Sequence, residues 1–282
     1  MKNDRSTSKR TFKVNGHLVK GVTDVISTVL QLRNEQLKDK YDQMHAVGQS
    51  SWFDEGDEER QAILRIGKLW EGLEVIEVGC GEGDLCAMMK MAGANPLGID
   101  YSEQAISKAK IRHGDWNDEE GITYLCAGYR DVDGFADRVV MQGVLEHLDN
   151  PFEELQWMID HFKPKTVITS SPCFLNTRGV VWHTLNMLGA VMSKTDLHYL
   201  DPMDFDLFCR DNGYKITTEH CDNSWGHGQK MVDDLSKRIP LALKDGNIPF
   251  KQEKVDELID WLKSFNLHGR GAVACYRIDI SS

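Results

Sequence analysis

The run VIEVGCGEGD, residues 75–84, joins an apolar stretch to a glutamate and to glycines at alternate positions, 79, 81 and 83. Val75, Ile76 and Val78 have the composition of a buried strand. Glycine tolerates positive φ and lets another group approach the backbone closely. The residues that follow, GDLCAMMKMAG, read as a helix closing on a glycine. A strand that passes through glycines into a helix presents unpaired N–H groups at its carboxyl end. Such a place is either a cofactor site or a tight turn, and the surrounding pattern has to decide between them.

Working outward, the chain alternates. NPLGID is a strand, and SEQAISKAKIRHG a helix with Ser102 at its N-cap position. GITYLCAG is a strand. DRVVMQ is another, followed by the helix PFEELQWMIDHF with Pro151 in its first turn. KTVITSSP, YKITTEHC and GAVACYRIDI complete seven apolar strands. Strands alternating with helices over short connections imply right-handed crossovers and an α/β fold. The expectation is a doubly wound, mostly parallel seven-stranded sheet. Residues 1–60 are expected to form a helical N-terminal segment or cap, with 17–47 helical. Residues 61–282 are expected to form the main domain, with 222–270 a helical insertion before the last strand that could serve as a lid.

Composition narrows the function. With 41% hydrophobic and 27% charged residues the chain is an ordinary globular sequence. No segment approaches the roughly 18 apolar residues of a membrane span. The basic start, MKNDRSTSKRTFK, has no apolar run behind it, so no secretory signal is expected. A net charge of −11 disfavours a broad phosphate-binding surface, and nucleic acid is not the expected partner. The seven cysteines form no CxxC pair, which fits reduced, buried thiols in a cytoplasmic protein.

The second strand ends at Asp100, about twenty residues beyond the first, where a carboxylate can accept ribose hydroxyls. That spacing suits NAD as well. The dinucleotide fingerprint, however, asks for Gly or Ala three positions after its second glycine, and Asp84 stands there. A carboxylate at a helix start opposes a pyrophosphate. Glu77 suits a ligand that carries a cation.

Taken together, EVGCGEGD, GIDYSEQAI and VVMQGVLEHLDNP resemble, in order and spacing, the class I S-adenosylmethionine-dependent methyltransferases. The resemblance runs over residues 74–172 and is greatest to small-molecule and sugar methyltransferases with EHL after the fourth strand. It implies a Rossmann-like fold, S-adenosylmethionine as cofactor and a small-molecule acceptor. It also implies that Glu77, Gly79, Gly81 and Gly83 lie beside the methionine and ribose portions. Asp100 would bind the ribose, Tyr101 would lie beside the adenine, and Gln142 and Gly143 would flank the methionine moiety. After the third strand, where such enzymes often carry an acid for the adenine amino group, this chain has CAGYRDV. Backbone at Ala127–Tyr129, with Tyr129 nearby, or the side chain of Asp131 would take that role. Tyr41, ahead of the core, is a candidate to fold over the cofactor.

Methyl transfer from a sulfonium is an in-line displacement that needs alignment and exclusion of water. A neutral amine needs no further help, whereas an alcohol needs a general base, most often histidine. The candidates are His147 in LEHLD, His198 in SKTDLHYLDP and His227 in EHCDNSWGHGQ, with Asp196 spaced to orient His198. Ser170, Ser171 and Asn176 could hydrogen-bond a polar substrate, and Arg178 could hold a carboxylate or phosphate. Trp182 and His183 read as helix packing. A metal set of His183, Asp196, His198 and His227 has no compact ligand spacing, and no metal is expected. The favoured activity is methylation of a hydroxyl on a sugar or related metabolite. N-methylation of a small amine and a cofactor-binding, non-catalytic partner subunit stay open as alternatives.

Overall fold

The computed structural model describes residues 12–14, 17–19, 38–39, 42, 57–113, 122–193, 196–221, 226, 228–264 and 271–280. The chain divides into two compact units, Met1–Ser51 and Trp52–Ser282. In the first, β1 (Phe12–Val14) pairs antiparallel with β2 (His17–Val19). The helix expected over 17–47 therefore begins as a strand, and among its described residues helix appears at 38, 39 and 42. The two strands are joined in sequence by Asn15-Gly16, the dipeptide that most favours a two-residue hairpin. The apolar residues that carry the helical spacing, 22–37, lie outside the described residues.

The second unit opens with α1 (Asp57–Gly67). The sequence boundary at residue 60 thus falls inside a helix that belongs to the sheet's own unit. There follow β3 (Glu74–Val78), α2 (Asp84–Met91), β4 (Asn95–Asp100), α3 (Glu103–His113) and β5 (Thr123–Cys126). Then come β6 (Arg138–Gln142), α4 (Pro151–Phe162), β7 (Thr166–Pro172), α5 (Thr177–Met187) and α6 (Pro202–Asn212). The unit ends with β8 (Lys215–Cys221), α7 (Gln229–Asp245), α8 (Gln252–Lys263) and β9 (Val273–Asp279). Ser102 does cap α3, its Oγ accepting from the Ala105 N–H at 3.2 Å.

All seven expected strands form one sheet, in the order β5-β4-β3-β6-β7-β9-β8. The five from β5 to β7 are parallel. β9 runs antiparallel to both β7 and β8, so the sheet is mixed. The physical reason is the connection: β9 returns from the α7–α8 insertion between β7 and β8, and needs no crossover helix to do so. β3 has β4 on one side and β6 on the other. The chain builds outward from β3 through β4 to β5, then returns to build β6 and β7 on the opposite side. Between β3 and β6 lies the switch point, and the carboxyl ends of these strands form the crevice where open α/β sheets bind ligands.

Alternation along the strands sends residues to two cores. Val78, Met141, Val167 and Tyr276 meet Leu155 and Phe162 of α4 and Phe205 of α6. Val75, Val140, Ile168 and Cys275 meet Ile63 of α1, Met89 of α2 and Ile106 of α3. A third cluster joins α7 and α8 to α5 through Trp182, Leu235, Ile239 and Ile259. The insertion therefore packs on α5 rather than on the sheet. Six of the seven cysteines are buried. Among the described residues no helix is long and apolar enough to cross a membrane.

Phe205 is fully buried and stacks on Tyr276 with ring centroids 3.8 Å apart, fastening α6 to β9. Phe205→Ala leaves a cavity there and is expected to lower unfolding free energy by about 3–5 kcal/mol, measured by denaturant titration.

Candidate active site

The crevice is built by hydrogen bonds that hold the glycine loop against the end of β4. Gly79 N–H and Cys80 N–H donate to the Ile99 carbonyl at 2.8 and 3.0 Å. The Asp100 carboxylate accepts from Gly81 N–H through Oδ2 at 3.0 Å and from Ser102 N–H through Oδ1 at 2.8 Å. Gly83 has φ +82°, and a Cβ there would lie 2.5 Å from the Tyr124 hydroxyl, which donates to the Gly83 carbonyl. Gly79 has φ +72°, and its Cβ would lie 2.7 Å from Val144 Cγ2. Both glycines are thus required by backbone angle and by a close neighbour.

Glu77, one residue before the end of β3, is buried, and its Oε2 has no hydrogen-bond partner. Burial pushes its carboxyl up to about 8; a bond from Cys86 and the charge of Arg60 oppose this, while Asp100 and Asp84 add to it. A buried carboxyl with an unsatisfied oxygen is costly unless something supplies a donor or a positive charge.

Asp84 stands differently from what the sequence suggested. It pairs with Arg60 and Arg112, each at 3.4 Å, and with His113 at 3.0 Å. Glu82 pairs with Lys108 at 3.2 Å and Arg112 at 2.8 Å. These acids pin the loop to α3 and α1. Two guanidinium groups, Arg60 and Arg112, offset the charge at the helix start, so the argument that Asp84 repels a pyrophosphate loses its force. The preference for a cation rests on Glu77.

The carboxyl end of β6 supplies the opposite wall. Gln142 Nε2 donates to Glu59 Oε2 of α1 at 3.0 Å, and Gly143, at φ +61°, donates its N–H to the Ser170 carbonyl at 3.2 Å. A 3-10 turn, Leu145–His147, follows. Glu146 in it is buried, with Oε2 unpartnered; burial holds its carboxyl well above the usual range, and Asp196 and Glu59 push the same way. His147 is half-buried, and its Nδ1 lies 3.5 Å from Asp196 Oδ1. The structure therefore brings Asp196 to His147, whereas its spacing had suggested His198. His198 Nε2 instead lies 3.0 Å from the Asp149 carbonyl.

Other candidates disperse. Tyr101 is exposed. The Tyr129 hydroxyl donates to Glu154 at 2.6 Å, and its ring meets Trp157 edge-on, so this side chain is directed to α4. Asn176 caps α5: its Oδ1 accepts from Gly179 N–H, and its Nδ2 donates to the Cys173 and Gly271 carbonyls. Both of its N–H donors and one oxygen lone pair serve the backbone. Arg178 pairs with Asp234 at 3.5 Å and lies over Trp182, with burial lowering its pKa. Trp182 is buried in the α5–α7–α8 cluster, and the His183 ring packs between Phe174 and Tyr199. Ser170 Oγ and Ser171 Oγ are buried. Among the described residues no three His, Cys, Asp or Glu side chains gather as a metal site. Tyr41 and His227 lie outside the described residues. Glu59 and Arg60 were missed, because acids and bases in the first turn of a helix look like ordinary solvated residues.

A family described as "Methyltransferase domain" matches residues 53–219, more than half of the chain. The chain belongs to this methyltransferase family. It is an S-adenosylmethionine-dependent enzyme. The ubiquinone biosynthesis O-methyltransferase of Leptothrix cholodnii is 29% identical over 166 residues, covering 54% of this chain and 67% of that protein. Its namesake from Shewanella pealeana is 32% identical over 114 residues, covering 39% of this chain and 48% of that protein. The methyltransferase thus spans only about half of the second relative's length. Among solved structures, a chain of the complex between the Haloferax volcanii Trm112 methyltransferase activator and a methyltransferase superposes with TM-score 0.53. Identity is 15%, over 86% of this chain and 98% of that one. A cyclopropane-fatty-acyl-phospholipid synthase-like protein from Lactobacillus casei superposes with TM-score 0.52 at 18% identity, over 78% and 89% of the two chains. These structural likenesses concern the fold.

The crevice of the methyltransferase fits such a cofactor. The unsatisfied Glu77 oxygen answers a cationic ligand, the close backbone at Gly79 and Gly83 admits one, and the Asp100 carboxylate stands against the same loop, on the Gly81 and Ser102 N–H groups. The Glu77 carboxyl carries a pH signature. Its ordinary value is 4.5 and its folded value about 8, so the folded state binds more protons through that window. Stability of the ligand-free enzyme should be unaffected by this group below pH 4.5 and should fall as pH rises to about 8. Melting temperatures across that range should decline in the wild type and decline less steeply in Glu77→Gln.

Proposed function

We propose that the methyltransferase transfers its methyl group to a hydroxyl of a small polar acceptor, of which a sugar hydroxyl is one example, with His147 as general base. The observation that carries this is the His147–Asp196 pair, 3.5 Å apart, beside Gly143 at the carboxyl end of β6. An alcohol at neutral pH is a poor nucleophile until a base takes its proton, and a carboxylate on Nδ1 makes Nε2 a better acceptor. A neutral amine has no use for such a pair. Two relatives named as O-methyltransferases support oxygen as the accepting atom.

In this proposal Glu77, Gly79, Gly81 and Gly83 form the floor beside the methionine and ribose portions of the cofactor. Asp100 receives the ribose hydroxyls, Tyr101 lies beside the adenine, and Gln142 and Gly143 flank the methionine end. Backbone around Ala127–Tyr129 is left to meet the adenine edge, because the Tyr129 hydroxyl is engaged by Glu154. Bound S-adenosylmethionine supplies a methyl group on a cationic sulfur. The chain's own work is to hold the acceptor oxygen in line, to take its proton at His147 Nε2, and to keep water out. Packed on α5, the α7–α8 insertion is the segment suited to close over an acceptor.

Two measurements test this. His147→Ala should lower kcat on a hydroxyl acceptor by about 10²–10⁴-fold while leaving S-adenosylmethionine affinity unchanged by calorimetry. Full activity of that variant on an amine, with no hydroxyl turned over by the wild type, would sink the proposal. Asp100→Ala should weaken S-adenosylmethionine binding by roughly 10–150-fold, the loss of about 1.5–3 kcal/mol of charge-assisted hydrogen bonding.

A further inference from the structure

We propose that His198 is a positioning residue, which clamps the Asp196 loop onto the turn that carries His147 and thereby sets the Asp196–His147 pair. The inference rests on the assignment of His147 as base.

The loop crosses the 3-10 turn through three hydrogen bonds. Leu197 N–H and His198 N–H both donate to the Glu146 carbonyl, at 2.8 and 3.2 Å. The His198 side chain then reaches past the turn, and its Nε2 lies 3.0 Å from the Asp149 carbonyl. A carbonyl can only accept, so Nε2 must carry the proton, and His198 cannot act as a base through that nitrogen. The backbone bonds hold one side of His147 and the imidazole holds the other. Asp196 lies immediately before this clamp, and its own N–H donates to Ser193 Oγ at 3.1 Å. On the far side the loop ends in a capping box, with Asp201 N–H donating to the Asp204 carboxylate and Asp204 N–H donating to the Asp201 carboxylate.

His147 and Arg178 of α5 stand near Asp196. Glu146, in the same turn as His147, is buried, and burial, Asp196 and Glu59 of α1 together favour its neutral acid. At 3.5 Å the His147–Asp196 separation is longer than a good N–H···O hydrogen bond, so that contact does not by itself fix the loop. Backbone bonds at the next two residues fix it there. If the loop relaxes, Asp196 moves off Nδ1, the imidazolium loses its partner, and His147 becomes a weaker base.

The test compares pH profiles of kcat for wild type, Asp196→Asn, His198→Ala, His198→Gln and the Asp196→Asn/His198→Ala double variant. Calorimetric affinity for S-adenosylmethionine reports on each fold. Gln is the conservative variant, because its amide N–H reaches about as far as Nε2. His198→Ala should lower kcat about tenfold or more. It should move the acid limb to lower pH, in the same direction as Asp196→Asn, with cofactor affinity unchanged. His198→Gln should restore most of the rate and the limb, and the double variant should be no worse than Asp196→Asn alone. An acid limb that stays at its wild-type position in His198→Ala, or a full additional loss in the double variant, overturns the clamp while His147 remains the base. A His147→Ala variant that works at the wild-type rate removes the underlying assignment instead.

Discussion

The carboxylate of Asp100 ties two loops with one group. One oxygen takes the Gly81 N–H from the loop after β3, and the other takes the Ser102 N–H at the head of α3. Neighbouring parallel strands are held together along their lengths by the ladder, but beyond the last rung nothing in the sheet fixes how their ends diverge. Here a half-buried bridge does so, aided by the Gly79 and Cys80 N–H groups on the Ile99 carbonyl. The shape of the glycine loop is thereby set by the chain's own hydrogen bonds. An enzyme whose chemistry is mostly alignment gains from a floor fixed in this way.

Two buried carboxyls stand on either side of the switch point, and their surroundings differ. Glu77 has Arg60 and the Cys86 thiol to moderate its burial. Glu146 has Asp196 and Glu59 near it, so burial and charge act together and favour the neutral acid. A neutral Glu146 removes one negative charge from the surroundings of Asp196 and His147.

Much of the fold was legible in the sequence, because periodicity reports burial directly. All seven strands of the sheet coincide with apolar runs, and Ser102 caps the helix it precedes. The direction of β9 was not legible, since a strand reads the same either way and only its neighbours decide. The antiparallel pairing of Phe12–Val14 with His17–Val19 was hidden behind a longer helical spacing. In the site, residue types were readable but partners were not. Asp196 lies two residues from His198, yet it meets His147, 49 positions earlier in the chain, because successive residues in an extended loop point to different sides. Asn176 and Arg178 looked like substrate contacts. They are spent on the α5 cap, with Gly271 95 residues away, and on Asp234, 56 residues away. Asp84 looked like a guard against phosphate until Arg60 and Arg112 came into view.

The placement of β9 has a consequence for how the molecule is made. β8 is bound into the sheet through β9, and β9 must find β7 across a long stretch of chain, with Thr166 and Asp279 in contact 113 residues apart. As the polypeptide leaves the ribosome, β3 to β7 can assemble while β8 and the α7–α8 helices wait beside an incomplete sheet. The last strand to be synthesised is the one that joins the two parts. Until it docks, both β7 and β8 expose an unpaired edge, and closure of such distant contacts is slow. The half of the protein that carries the carboxyl ends of β3, β4 and β6 can therefore be formed before the half that carries β8 and the α7–α8 helices.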